Sequence, residues 1–146
     1  ANTDGDAVIY ARRQRVVATG DIVVHPLPYA SASYPTSWID VIERIKSLAF
    51  AYLVPGHGDV QTDRVYLDQV EAALREVVAQ VAPLAQEGVA LRDVQQRIDV
   101  AALRRSFTGG DDWRDFLFDG FFLHAIVANA YREARGEPIR QGIDGG

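Results

Sequence analysis

The run Leu-Val-Pro-Gly-His-Gly at residues 53–58 is the feature that most constrains how this chain can fold. An apolar run that ends in Pro-Gly predicts a buried strand followed by a tight turn, with His57 presented at the C-terminal edge of a sheet. The glycines on either side of His57 permit backbone angles that other residues avoid and let a metal or substrate approach the main chain. Residues 16–21 have the same design, because an apolar strand leads through a glycine to one acidic side chain, Asp21.

Composition limits the classes of protein and of partner. The 146 residues fit one domain, and 48% hydrophobic with 24% charged residues is ordinary for a soluble globular protein. A net charge of -5 argues against a nucleic-acid partner, and no apolar run reaches the roughly 20 residues needed to cross a bilayer. Cysteine is absent, which excludes disulfides and thiol chemistry. Methionine is absent too, so we expect that an N-terminal segment has been removed, from a cytoplasmic or an exported protein.

Residues 1–61 predict an α/β unit. Two strands joined by a turn, an irregular loop, a helix with apolar residues at helical spacing and a further strand follow one another. The predicted strands are residues 7–10 and 15–18 with a short extension at 22–24, the loop is 26–35, the helix begins with a cap at Thr36 or Ser37 and runs to 48, and the last strand is 51–54.

Residues 62–136 predict a helical part that packs on this unit, followed by a flexible tail at 137–146. We expect a long helix from Asp63 that Pro83 kinks or shortens and Gly88 ends. A brief helix at 90–98, a loop at Gly109-Gly110 and one last helix from Asp111 or Asp112 to Gly136 complete the prediction.

Three short motifs occur in order along residues 1–61. They are Asn2-Thr3-Asp4-Gly5-Asp6, Thr19-Gly20-Asp21 and Pro55-Gly56-His57-Gly58. Together they resemble the C-terminal half of a metallo-β-lactamase-fold hydrolase, in which a His-Thr-x-Gly-Asp turn and two strand ends of these types follow one another at about this spacing.

The resemblance implies half of an αββα sandwich, extended here by C-terminal helices, with a dinuclear metal site, commonly zinc, at one edge of the two sheets. Asp21 would match the carboxylate that bridges the two metals, and His57 would match the last histidine ligand. Carboxylate oxygen and imidazole nitrogen both suit zinc, which activates water for attack on a carbonyl. The implied activity is hydrolysis of an ester, thioester, lactone or β-lactam.

Two departures from that family pattern bear on activity. The His-x-His-x-Asp-His segment that supplies most metal ligands does not occur in the 146 residues, and Asn2 stands where the family has a histidine ligand. An amide oxygen is a poorer zinc ligand than imidazole. We therefore expect the isolated chain to be inactive unless another segment completes the site.

Simpler roles remain open for the same side chains. Asp21 can cap the turn after its glycine, and His57 can be a turn histidine bonded to a backbone carbonyl. His25 is expected to be a solvent-facing loop residue, and His124 a packed or partly exposed helix residue. Asp4 and Asp6 fit ordinary turn chemistry.

The aromatic residues suggest where a pocket and a core lie. The loop at 26–35, with Tyr29 and Tyr34, can line a pocket above Asp21 because it follows that residue directly. Trp38 and the aromatic cluster at 116–122 are expected in the core or at an interface.

Two functions follow from this sequence. The chain is either the C-terminal part of a metal-dependent hydrolase, completed by an N-terminal half, or a non-catalytic module that uses the same half-fold. A lone half of a sandwich leaves one apolar sheet face uncovered, so we expect a homodimer or a complementing partner.

Overall fold

A three-stranded sheet carries the two strand ends that the sequence singles out. The computed structural model of the protein describes Thr3 and residues 5–139. In it β1 (Ile9–Ala11) pairs antiparallel with β2 (Val16–Val24), and β2 pairs parallel with β3 (Tyr52–His57). Helix α1 (Pro35–Ser47) connects the two parallel strands. The α/β class is therefore confirmed, and β2 and β3 end at the same edge of the sheet.

Strand β2 is longer than predicted. The sequence suggested a strand at 15–18 and a separate extension at 22–24, yet a single strand runs through Gly20, whose φ is +54°. The pairing with β3 shifts register between Ala18 and Gly20 and again before Val24. Glycine can absorb such an irregularity because it has no β-carbon, so the strand continues beyond it.

The two faces of the sheet have different surroundings. Tyr10, Val17 and Leu53 lie opposite one another in the register, and Val17 and Leu53 are fully buried against the helices. The adjacent row consists of Ile9, Ala18 and Val54, with Ile9 71% exposed and Val54 39% exposed.

We call this second side the outer face. It also carries Tyr52, which is 50% exposed and lies opposite Val16. Within the part of the chain that the structure describes, there is one sheet, and nothing covers its outer face.

Helix α1 begins differently from the prediction. Tyr34 precedes the helix and Pro35 occupies its first turn, a position that suits the fixed φ of proline. The predicted capping residue Thr36 instead donates its backbone N–H and its hydroxyl to the Glu133 carboxylate, at 3.1 and 2.5 Å. A carboxylate from a distant helix thus accepts both hydrogen bonds that Thr36 donates at this end of α1.

Five more helices and one π-helical turn follow. They are α2 (Val65–Gln86), α3 (Leu91–Arg97), α4 (Ala101–Thr108), α5 (Asp112–Phe118), the π turn (Asp119–Leu123) and α6 (His124–Ala134). Side chains from both parts of the chain, including Trp38, Ile42, Leu74 and Phe122, share one core. No helix among residues 5–139 combines the length and the hydropathy needed to cross a bilayer.

Helix α2 ends just before Gly88, as predicted, and Gly88 has a φ of +81°. Pro83 lies on the exposed side of the last turn, where water can bond the carbonyl group that proline leaves free. Two other helical predictions need correction. Helix α4 was not predicted, although it buries Leu103 and Phe107. The last helix starts after an Asp111 cap as expected, but a π turn divides it and it ends at Ala134. The predicted flexible tail lies outside the described residues from 140 onward.

Candidate functional site

Asp21 and His57 come together at the edge where β2 and β3 end. Asp21 lies within β2, and His57 is the last residue of β3. The Asp21 Oδ1 atom is 3.4 Å from the Nε2 atom of His57, and both side chains are open to solvent at 49% and 71% exposure. Parallel pairing of β2 with β3 brings these two groups together from distant parts of the sequence.

The glycines around His57 allow this close arrangement. A β-carbon on Gly56 would lie 2.1 Å from Asp21 Oδ1 and 2.8 Å from the Asp21 backbone nitrogen. Gly58 has a φ of +89°, and a β-carbon there would lie 2.2 Å from the carbonyl oxygen of His25. Any other residue at either position would force the strand ends apart.

His25 lies beside the pair and is not the solvent-facing loop residue that the sequence suggested. Its backbone N–H donates to the His57 carbonyl at 3.0 Å, and its half-buried ring meets Tyr66 edge-on at 4.8 Å between centroids. The reason is that β2 runs on to Val24, which places His25 directly at the strand end. Its Nδ1 atom is buried and has no hydrogen-bond partner among the described residues.

Tyr66 fixes the end of β2 from the helical side. Its hydroxyl donates to the Val24 carbonyl at 2.5 Å, and burial raises the pKa of Tyr66 because the phenolate would lose its hydration. This contact ties α2 to the edge that carries Asp21.

A cavity of about 450 Å³ opens beside the pair. It is lined by Asp21, Val24, Leu27, Tyr29, His57 and Phe121. The loop at 26–35 thus contributes Tyr29, as its position after Asp21 predicted, whereas Tyr34 lies at the start of α1.

Phe121 is the lining residue that sequence reasoning placed elsewhere. Phe118 and Phe122 are fully buried, as expected for the aromatic cluster, but Phe121 is 47% exposed and faces the cavity. The sequence holds one weak signal of this position. Four phenylalanines within residues 116–122 cannot all lie on one face of a helix, so at least one of them has to face away from the core. Trp38 is in the core as predicted, and His124 is an exposed helix residue.

The two polar groups have the chemistry and the separation of zinc ligands. Two ligands of one zinc, each roughly 2.0 to 2.1 Å from the metal at a tetrahedral angle, lie about 3.4 Å apart. The Asp21–His57 distance has this value, and it exceeds the roughly 2.7 to 2.9 Å of a charge-assisted hydrogen bond. A catalytic zinc takes three protein ligands, however, and no cluster of three candidate ligands occurs within the described ranges. Asn2 lies outside the described residues.

No protein-family model matches the chain, and no curated protein matches it significantly.

Proposed function

We propose that this chain supplies two metal ligands, Asp21 and His57, to a metal-dependent hydrolase with a metallo-β-lactamase-like fold, and that it corresponds to the C-terminal half of that fold. The observation that carries the proposal is the 3.4 Å between Asp21 Oδ1 and His57 Nε2 at the shared end of two parallel strands. Zinc is the expected metal, because it accepts both carboxylate and imidazole ligands.

The remaining ligands would come from a complementing N-terminal half. The outer face of the sheet, with Ile9, Tyr52 and Val54 exposed, is the surface that a second sheet would cover. A sheet packed there would bring its own strand ends to the same edge as Asp21 and His57. Complementation would therefore complete the metal site and bury the outer face at the same time.

Each residue has a separate part in the expected reaction. A bound zinc supplies a hydroxide at neutral pH for attack on an ester, thioester, lactone or β-lactam carbonyl. Asp21 would hold the metal through its carboxylate and His57 through Nε2, while the glycine at 56 keeps the two ligands close. Tyr66 holds the end of β2, and so the position of Asp21, through the Val24 carbonyl.

Zinc titration of the purified chain tests this proposal. Equilibrium dialysis against Zn²⁺ should give one weakly bound zinc per chain, because two protein ligands hold a metal less firmly than three. Asp21→Asn and His57→Ala should each abolish the binding, whereas His124→Ala, a matched control at an exposed position at the start of α6, should retain it. Binding that survives both site variants would contradict the proposal.

A second function is favoured by the outer face alone. Its exposed apolar residues would also fit a second copy of the chain, packed sheet on sheet about a two-fold axis, in a module without metal chemistry. Analytical ultracentrifugation separates the two functions. A metal-free dimer at micromolar concentration would support the non-catalytic module, and a zinc-binding monomer would support the incomplete hydrolase.

A further inference from the structure

The cavity beside Asp21 and His57 has a lining that indicates what part of a molecule it accepts. Its volume of about 450 Å³ lies within the range of small-molecule sites. Apart from the Asp21–His57 pair, its walls come from Val24, Leu27, Tyr29 and Phe121. The described lining contains no lysine or arginine, so a carboxylate or phosphate inserted between these walls would find no cation there.

The two aromatic walls are held in a fixed relation to each other. The rings of Tyr29 and Phe121 meet edge-on with 6.2 Å between their centroids. The backbone N–H of Ala30 donates to the Phe121 carbonyl at 2.8 Å, which links the loop to the helix. The cavity is therefore partly formed in advance, as a ligand site usually is.

The π turn accounts for the position of Phe121. In this turn the His124 N–H donates to the Asp119 carbonyl five residues earlier, so the turn contains one residue more than a turn of α-helix. The wider turn shifts Phe121 off the face that buries Phe118 and Phe122. Single π turns of this kind occur frequently at functional sites.

We infer that the substrate carries an uncharged apolar group, aliphatic or aromatic, next to its reactive carbonyl, and that this group binds between Leu27, Tyr29 and Phe121. That the bound molecule is a substrate rests on the proposed function. That the cavity binds an uncharged apolar group rests on the lining alone. An apolar acyl group placed there would leave its carbonyl facing Asp21 and His57.

Neutral alcohols of increasing length are suitable probes, because they need no metal. Amide shifts in nuclear magnetic resonance spectra should show 1-butanol, 1-hexanol and 1-octanol binding at the cavity, with affinity rising about fourfold for each added methylene. Phe121→Ala and Tyr29→Ala should each weaken 1-hexanol binding by about tenfold. Phe116→Ala is the matched control, because Phe116 is 67% exposed and stacks on Trp113 outside the cavity.

The outcomes separate this inference from the proposed function. Alcohol binding that persists in Asp21→Asn, whether or not zinc binds to the wild type, supports the apolar site. Zinc binding without alcohol shifts at the cavity overturns the inference and leaves the metal proposal standing. Equal losses of 1-hexanol affinity in Phe121→Ala and Phe116→Ala also overturn the inference. Amide shifts confined to residues of the outer face would do the same. Dispersed amide spectra establish that each variant is folded. If Phe121→Ala does not fold, the loss of 1-hexanol affinity in Tyr29→Ala provides the test.

Discussion

Gly56 lies so close to Asp21 that a β-carbon on it would stand 2.1 Å from the carboxylate Oδ1. The same β-carbon would lie 2.7 Å from the Gly20 backbone carbon, so the side chain of Asp21 cannot relieve the clash by moving alone. We expect Gly56→Ala to lower the free energy of unfolding by about 2 kcal/mol and to weaken zinc binding at least tenfold. Thermal unfolding and zinc dialysis measure the two effects.

Gly120→Ala is the matched control for that variant. No atom lies within 4 Å of a β-carbon at Gly120, and its φ is not positive. We expect unchanged zinc binding and equal or slightly higher stability, since alanine is the better helix former. Zinc affinity that is the same in Gly56→Ala as in the wild type would show that the spacing of the strand ends does not matter for the site.

Tyr66 supports the metal-binding edge through its hydrogen bond to Val24. We expect Tyr66→Phe to lower the free energy of unfolding by about 1 kcal/mol and to reduce zinc affinity, because the end of β2 loses its tie to α2. Tyr131→Phe removes a comparable bond to the Val89 carbonyl far from the edge, so it should cost similar stability without changing zinc affinity. Equal effects of both variants on zinc binding would contradict a local role for Tyr66.

The same tyrosine predicts how stability falls at high pH. Burial raises the pKa of Tyr66 above its ordinary value of 10, so its contribution is complete below about pH 10 and is lost as the pH rises further. Denaturant unfolding between pH 8 and about pH 11 should therefore show a steeper alkaline loss in the wild type than in Tyr66→Phe. Parallel pH profiles would contradict the prediction.

Glu71 on α2 predicts the behaviour in acid. Its carboxylate accepts hydrogen bonds from Lys46 and Arg75, each at 2.8 Å, and the Lys46 bond is the main reason that the pKa of Glu71 is lowered. A lowered pKa gives stability that is present above the ordinary value and lost as the pH falls through the lowered one. We expect Glu71→Gln to cost about 1 kcal/mol at pH 7 and nearly nothing near pH 2, measured by denaturant unfolding.

Glu76→Gln is the control on the same helix. Glu76 is exposed and has a 3.4 Å contact with Gln80, so its replacement should change stability little at either pH. If the difference in free energy of unfolding between the wild type and Glu71→Gln does not shrink in acid, the ion pairs of Glu71 are not the source of that difference.

The outer face predicts a change in association. We expect Val54→Lys to abolish any self-association, or any binding of a complementing half, because a charge on a packed sheet face would lose its hydration. Val65→Lys is the matched control, since Val65 is 69% exposed at the start of α2, away from the sheet. Sedimentation velocity at several concentrations measures both, and equal effects would show that the outer face is not the contact surface.

Local patterns predicted the elements that position the site. The apolar runs before Asp21 and His57 located β2 and β3, although both strands extend further than predicted, and helical spacing of apolar residues located α1 and α2. The order of the three motifs along the chain suggested that Asp21 and His57 lie close together, whereas strand and helix propensities did not. The cap of α1 could not be predicted, because Glu133 supplies it from the far end of the chain.

Other features were missed because tertiary contacts decide them. Helix α4 is short, with Leu103 and Phe107 as its large apolar residues, and packing stabilises it more than its own sequence does. The π turn shifts the helical phase by one residue, which no regular periodicity reveals, so the sequence places Phe121 with its neighbours in the core or at an interface. The sequence places His25 in a loop because it stands beside Pro26, and only the fold brings its ring against Tyr66.

The parallel pairing of β2 with β3 also sets when the site can form during folding. The two strands cannot meet until the chain between them has made the complete crossover through α1, and such distant pairings form slowly. A partly folded chain would hold β1 and β2 as a local hairpin while Asp21 and His57 were still far apart. Metal binding by Asp21 and His57 would therefore indicate that β3 has paired with β2.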